Sequence, residues 1–181
     1  MRIPLILAIG FWFATSVNAT PLFELRVGAS WTYEVDVKGG TSYTLVNHID
    51  DKHIVDGTVW YRLVEFDEIF WITNTSQGQM EALSSMTSEM PPSSGVEMQL
   101  IFKFPAEPGE QWTTVDGDVI TYRGKHRTTV PAGSFSCHIY FIDMEKEGYS
   151  EFCIAEGIGV IYNIFELKGY PKEVAKLVDY Q

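Results

Sequence analysis

Positive charge is scarce in this sequence, with 13 Lys and Arg standing against 24 Asp and Glu. A chain of that sign repels phosphate backbones and anionic lipid, which sets nucleic acid aside as a partner. Reaction motifs are missing as well. There is no serine in a GxSxG elbow, no GxGxxG turn, and neither cysteine has a catalytic histidine beside it. No catalytic residue, metal or cofactor is therefore expected, and the expectation is a non-enzymatic protein. Long apolar runs are also absent beyond the first residues, so no later segment could span a bilayer as a helix.

What is present begins with an address. Arg2 precedes an apolar run, Ile3 through Ala14, and Thr15-Ser16-Val17-Asn18-Ala19 then turns small and polar. That order is the signature of a signal peptide, with Val17-x-Ala19 at the cleavage point. A membrane anchor is the rival reading, but a spanning helix needs roughly 20 apolar residues and this run has about a dozen. The division expected is 1–19 as signal peptide and 20–181 as one domain, soluble, with no membrane span, in a secreted or periplasmic setting. Losing Arg2 leaves 12 cationic against 24 acidic side chains, a net charge of −12. The plain reading of that acidity is solubility.

The rest of the chain reads as strands. Aromatic residues make up 14% of it and are interleaved with Val, Ile and Leu, which is sheet-like usage. Trp31, Tyr33, Val35 and Val37 alternate with polar residues, as a half-buried strand requires. Asp50-Asp51-Lys52 reads as a turn, and Asp56-Gly57 between Ile54-Val55 and Thr58-Val59 is a strong hairpin signal. Met98, Leu100, Phe102 and Phe104 alternate with Glu97, Gln99 and Lys103. Short strands follow at 119–122 and 128–130, separated by Gly124. Phe135, Cys137, Ile139 and Phe141 are opposed by Ser134, Ser136 and His138, and Val160, Tyr162 and Ile164 continue the pattern. Residues 84–95, rich in Ser, Met and Pro, read as a long mobile loop. The last segment, Lys172 to Tyr180, fits a strand better than a helix. The fold class expected is all-β: a single curved antiparallel sheet of about ten strands, half-barrel or barrel-like, with a sandwich also compatible.

Two cysteines in an exported chain point to a disulfide. If the turn after Phe141 centres near Glu145, Cys137 lies opposite Cys153, within reach of a bridge. A register slip of one residue would place the two side chains on opposite faces.

Val130-Pro131-Ala132-Gly133-Ser134-Phe135 followed by Gly157-Ile158-Gly159 resembles uncharacterised bacterial exported proteins with a VPAGxF…GxG signature. Phe104-Pro105-x-x-Pro108-Gly109-x-x-Trp112 and Gly28-x-x-Trp31-x-Tyr33 fit the same pattern, which runs from about residue 28 to residue 165. The resemblance implies a curved antiparallel sheet of half-barrel type in the secreted or periplasmic space, and it implies no reaction. Physically, Pro131 pre-sets φ for a turn, and Gly157 and Gly159 permit a bulge or a close backbone approach.

Other residues offer weaker leads. His48, Asp50, Asp51, His53 and Asp56 are suitable types for zinc but straddle the presumed turn, so a surface turn is the reading adopted. His126 lies in the basic cluster Arg123 to Arg127, and His138 is placed on the polar face of its strand. Met80, Met86, Met90 and Met98 bracket the 84–95 loop and are read as packing it onto the sheet. Asn74-Thr75-Ser76 is a glycosylation sequon. Carboxylates are abundant, and nothing singles out any two as an acid pair. The function expected is an exported binding or interaction module for an apolar small molecule, a lipid or an envelope protein segment. A structural component of the cell envelope is the alternative, with a hydrolase third. Oligomeric state and ligand-binding residues stay open.

Overall fold

The computed structural model describes residues 21–65, 68–83 and 90–181. The expected signal peptide, 1–19, and positions 84–89 of the expected loop lie outside the described residues.

Among the described residues twelve strands form one antiparallel sheet. They are β1 (Ser30–Val37), β2 (Tyr43–Val55), β3 (Thr58–Glu65), β4 (Glu68–Thr75), β5 (Gly78–Ala82) and β6 (Met98–Lys103). The second half comprises β7 (Gln111–Thr113), β8 (Val119–Val130), β9 (Gly133–Asp143), β10 (Gly148–Ala155), β11 (Gly159–Leu167) and β12 (Glu173–Tyr180). The spatial order is β6-β5-β4-β3-β2-β1-β12-β11-β10-β9-β8-β7. Every laddered pair is thus consecutive in the chain except β1 with β12, where the two ends of the domain meet. The sheet is a meander that curls on itself and stops short of closure, because β6 and β7 form its two edges.

Those edges are joined by side chains instead of a ladder. Trp112 Nε1 donates to the Leu100 carbonyl at 3.1 Å, and the Tyr140 hydroxyl donates to the Lys103 carbonyl at 2.8 Å. The Val115 amide donates to Gln99 Oε1 at 3.4 Å, and Lys103 pairs with Glu110. The seam occupies the Leu100 and Lys103 carbonyls of the β6 edge, groups of the kind that would otherwise invite another chain.

The sequence explains most of the local geometry. Asp56 and Gly57 both hold positive φ, 51° and 80°, in the tight turn joining β2 to β3, as Asp-Gly favours. Pro131-Ala132 make the two-residue turn between β8 and β9, where Val130 pairs with Gly133. The final segment is the strand β12. Two expected interruptions are instead bulges inside long strands. The chain does not turn at Asp50-Asp51-Lys52: the register shifts between Ile49 and Asp51, and β2 runs on for 13 residues. Gly124 does not separate two strands either, since the shift between Tyr122 and Gly124 lies within the 12-residue β8. A bulge adds one residue and bends the strand, which is how a long strand follows a curled sheet.

The principal core is an aromatic and aliphatic cluster that includes Trp31, Tyr33, Ile49, Ile120, Tyr140 and Leu177. A smaller one, Trp60, Trp71 and Ala82, packs under Val55 and Val96. Of the methionines expected to pack the loop, Met90 and Met98 are 75% and 45% exposed, Met80 is half-buried, and Met86 lies outside the described residues. Among the described residues no helix is long and apolar enough to cross a membrane.

Candidate functional site

The curl of the sheet forms a cavity of about 270 Å³ that is open on one side. Its walls come from nearly every part of the sheet: Trp31 and Tyr33 of β1, Leu63 of β3, Ile72 of β4, Ile101 and Phe102 of β6, Ile120 of β8, Phe152 of β10 and Val160 of β11. Trp31 Nε1 donates to the Ile158 carbonyl at 2.6 Å and the Tyr33 hydroxyl to the Val160 carbonyl at 2.7 Å. These two bonds tie β1 to the start of β11 and fix both rings as part of the wall. Gly159 is required here. Its φ is +111°, and a Cβ would lie 3.1 Å from Trp31 Nε1. The close backbone approach anticipated for the GxG element is therefore the seat of the Trp31 ring.

One side of this apolar chamber is polar. Asn47 on β2, Gln79 and Glu81 on β5, and Gln99 on β6 all line it and are buried, each between 5% and 7% exposed. Glu65 at the end of β3 joins them. The registers Ile72↔Glu81 and Glu81↔Gln99 set an apolar residue, a carboxyl and an amide side by side across three strands. Asn47 Nδ2 donates to Glu65 Oε1 at 2.8 Å. Burial pushes the Glu65 carboxyl up to about 7, with Glu68 adding to the rise and the Asn47 hydrogen bond opposing it. Burial also pushes Glu81 up to about 7, opposed by a hydrogen bond from Gln99 and aided by Glu65 and Asp116. Asp116 and Asp118, from the turn between β7 and β8, complete the lining. The Asp118 carboxyl is raised by burial first and then by its acidic neighbours.

Three polar atoms of this row, Asn47 Oδ1, Gln79 Nε2 and Glu81 Oε1, are buried with no hydrogen-bond partner among the described residues. Buried polar groups are nearly always paired, so three unpaired atoms on residues that line a cavity single out this wall as the place for something polar to bind.

The sequence-derived candidates fall elsewhere. His48, Asp50, Asp51, His53 and Asp56 are strung along β2 and its turn. Asp50 makes a paired contact with Arg62, and Asp56 accepts from Ser94 at 2.8 Å. Among the described residues no three His, Cys, Asp or Glu side chains are grouped to hold a metal. His138 is not on an exposed polar face. It is 3% exposed, with Nδ1 2.8 Å from the Tyr122 hydroxyl, Nε2 2.9 Å from Glu156 Oε1 and its ring against Phe104. The basic cluster is spent locally: Arg123 lies over the Phe141 ring and pairs with Glu151, and Lys125 pairs with Glu156. Asn74, in the sequon, donates its amide to the Phe23 carbonyl at 2.9 Å.

Cys137 and Cys153 are joined by a disulfide, Cα to Cα 5.4 Å. They are not direct partners. Cys137 opposes Ala155 and Cys153 opposes Ile139, because the turn centres on Lys146 and not on Glu145. That moves the register by two residues, so both sulfurs stay on one face and bridge diagonally.

Comparison with solved structures gives the fold a relative. One neighbour, from Bacteroides fragilis, is described as an exported protein with a YMCC-like fold; it aligns at a TM-score of 0.52 and 13% identity over 88% of this chain and 98% of its own. A second, described as a lipoprotein from Parabacteroides distasonis, aligns at 0.53 and 11% identity over 91% and 100%. The fold is YMCC-like. No protein-family model and no curated protein matches the sequence, so the VPAGxF…GxG signature has no counterpart at that level. At such identities the likeness is one of architecture, and the cavity must speak for itself.

Proposed function

We propose that the protein is an exported, non-enzymatic carrier or sensor that holds a small, largely apolar molecule inside its curled sheet. The observation that supports this reading best is the cavity itself: apolar on most sides, edged by a buried polar row with three unpartnered atoms. Pockets that bind small molecules have this composition, apolar walls with a few convergent polar groups to fix orientation. At about 270 Å³ the chamber exceeds the roughly 150 Å³ cavity known to accept benzene and lies just below the range typical of drug-sized ligands. A purely structural component of the envelope would gain nothing from leaving buried polar atoms unpaired, since each costs about 1–3 kcal/mol. Export is supported by the leading segment Met1 to Ala19 and by the neighbours' descriptions.

Native mass spectrometry of protein purified from its own host tests the reading. The expected result is a released small molecule, lost when Leu63→Trp fills the chamber. A wild-type mass equal to that of the bare chain, together with no uptake of apolar probes, would refute it.

A further inference from the structure

Among the described residues the lining of the cavity carries four carboxyl groups, Glu65, Glu81, Asp116 and Asp118, and no Lys, Arg or His. Two of its three unpartnered atoms, Asn47 Oδ1 and Glu81 Oε1, are acceptors, and both residues are more than nine-tenths buried. Among the described residues Glu65 accepts from the Asn47 amide alone, although cations pair elsewhere in the protein with Asp36, Asp50, Glu110, Glu151, Glu156 and Glu166. What the site lacks is a cationic donor. The third atom, Gln79 Nε2, is a donor; turning the amide over by half a revolution would put the acceptor Oε1 in its place.

We propose that the occupant is a small amphiphilic amine, with its protonated head between Glu65 and Glu81 and its hydrocarbon body against Ile72, Ile101 and Phe102. This deepens the binding reading above and rests on it. Charge complementarity decides the head group. With the carboxyls ionised, as at pH 8, a neutral polar head would leave them unmatched, an anionic head would be repelled by all four, and an ammonium or guanidinium gives N–H donors to acceptors and neutralises charge in a largely desolvated site. The apolar majority of the wall decides the body, because a hydrated inorganic cation would leave that surface wet.

The proposal is tested with octylamine, octanol and octanoate, which share a chain and differ in the head, by isothermal titration against the full exported chain at pH 8. Octylamine should bind at least tenfold more tightly than octanol, with octanoate weakest, and octanol should displace the amine. Glu81→Gln should cut the amine-over-alcohol preference several-fold. If octanol binds as well as octylamine, if octanoate binds better, or if octanol cannot displace the amine, the head-group assignment is wrong and the cavity reading stands. If none of the three binds, the cavity reading itself fails. The head-group ranking uses wild-type protein, so it holds as a test even if the variant fails to fold.

Discussion

Replacing Glu81 with Gln should stabilise the protein several times more at pH 8 than near pH 5. The reasoning begins with burial. Glu81 is 7% exposed, and its carboxyl is raised from the usual 4.5 to about 7. A carboxyl whose pKa is higher folded than unfolded binds its proton more tightly in the folded state. Between pH 4.5 and 7 the folded chain therefore carries more protons than the unfolded one, and stability falls as the pH rises through that window. A rise of that size corresponds to about 3 kcal/mol lost by pH 8. Glu65, also raised to about 7, adds a loss of the same sign, and the two titrate as a coupled pair. The carboxyls held below their usual range by cation partners, such as Asp50 beside Arg62 and Glu156 beside Lys125, act in the opposite direction but at lower pH. Their stabilisation is complete above about pH 5 and is lost as pH falls through their depressed values, outside this window. A glutamine of nearly the same shape keeps an acceptor for Gln99 and never ionises. For a domain of this size the gain at pH 8 amounts to roughly 6–12 °C in Tm. Thermal melts followed by circular dichroism at pH 5 and pH 8 measure it. An equal change in Tm at both values, or a less stable variant at pH 8, would refute the burial argument.

Three further outcomes follow from single contacts. Gly159→Ala should destabilise by about 2 kcal/mol in urea titration, because alanine is strained at φ +111° and its methyl meets the Trp31 ring; an unchanged midpoint would contradict this. Replacing Cys137 and Cys153 together by Ala should cost about 3 kcal/mol, the value for a bridge between residues 16 apart in the chain-entropy model; the same denaturation assay checks it, and a loss under about 1 kcal/mol would contradict it. Tyr140→Phe removes the donor to the Lys103 carbonyl at the seam and should cost about 1 kcal/mol. It should also speed amide hydrogen exchange in β6 more than in β3, and equal exchange in the two strands would contradict the seam's role.

Much of the architecture was legible in the sequence because it depends on short-range chemistry. Alternation identified the strands, Asp56-Gly57 marked a hairpin, and Pro131 and Gly159 marked an entry turn and a close approach. The bulges were not legible. Each shifts the period of two by one residue without a distinctive composition, so every assignment of faces beyond a bulge inverts. In β6, Gln99 looks outward by simple alternation with Met98. The register instead shifts opposite Gln79 and Met80, and Gln99, Ile101 and Phe102 all line the cavity while Met98 is left exposed. In β11 the shift between Cys153 and Ile154 of its partner buries Ile161 completely, in place of the expected Tyr162. Glu65 and Glu81 escaped notice for a related reason. Polar residues on strands are normally solvated, and only the curl of twelve strands brings Glu81 under cover beside Gln99 and Glu65. One local signal was available: Gln79 and Glu81 share a face of a very short strand whose neighbours are apolar.

The account turns on the chamber being a binding site. Carbon-13 methyl NMR of the protein titrated with octanol tests this most directly. The account predicts that Ile49, Leu63, Ile72, Ile101 and Ile120, which line the cavity, shift together with one affinity, while the exposed methyls of Ile54 and Val178 stay fixed. Shifts confined to the exposed methyls, or none at saturating octanol, would contradict it.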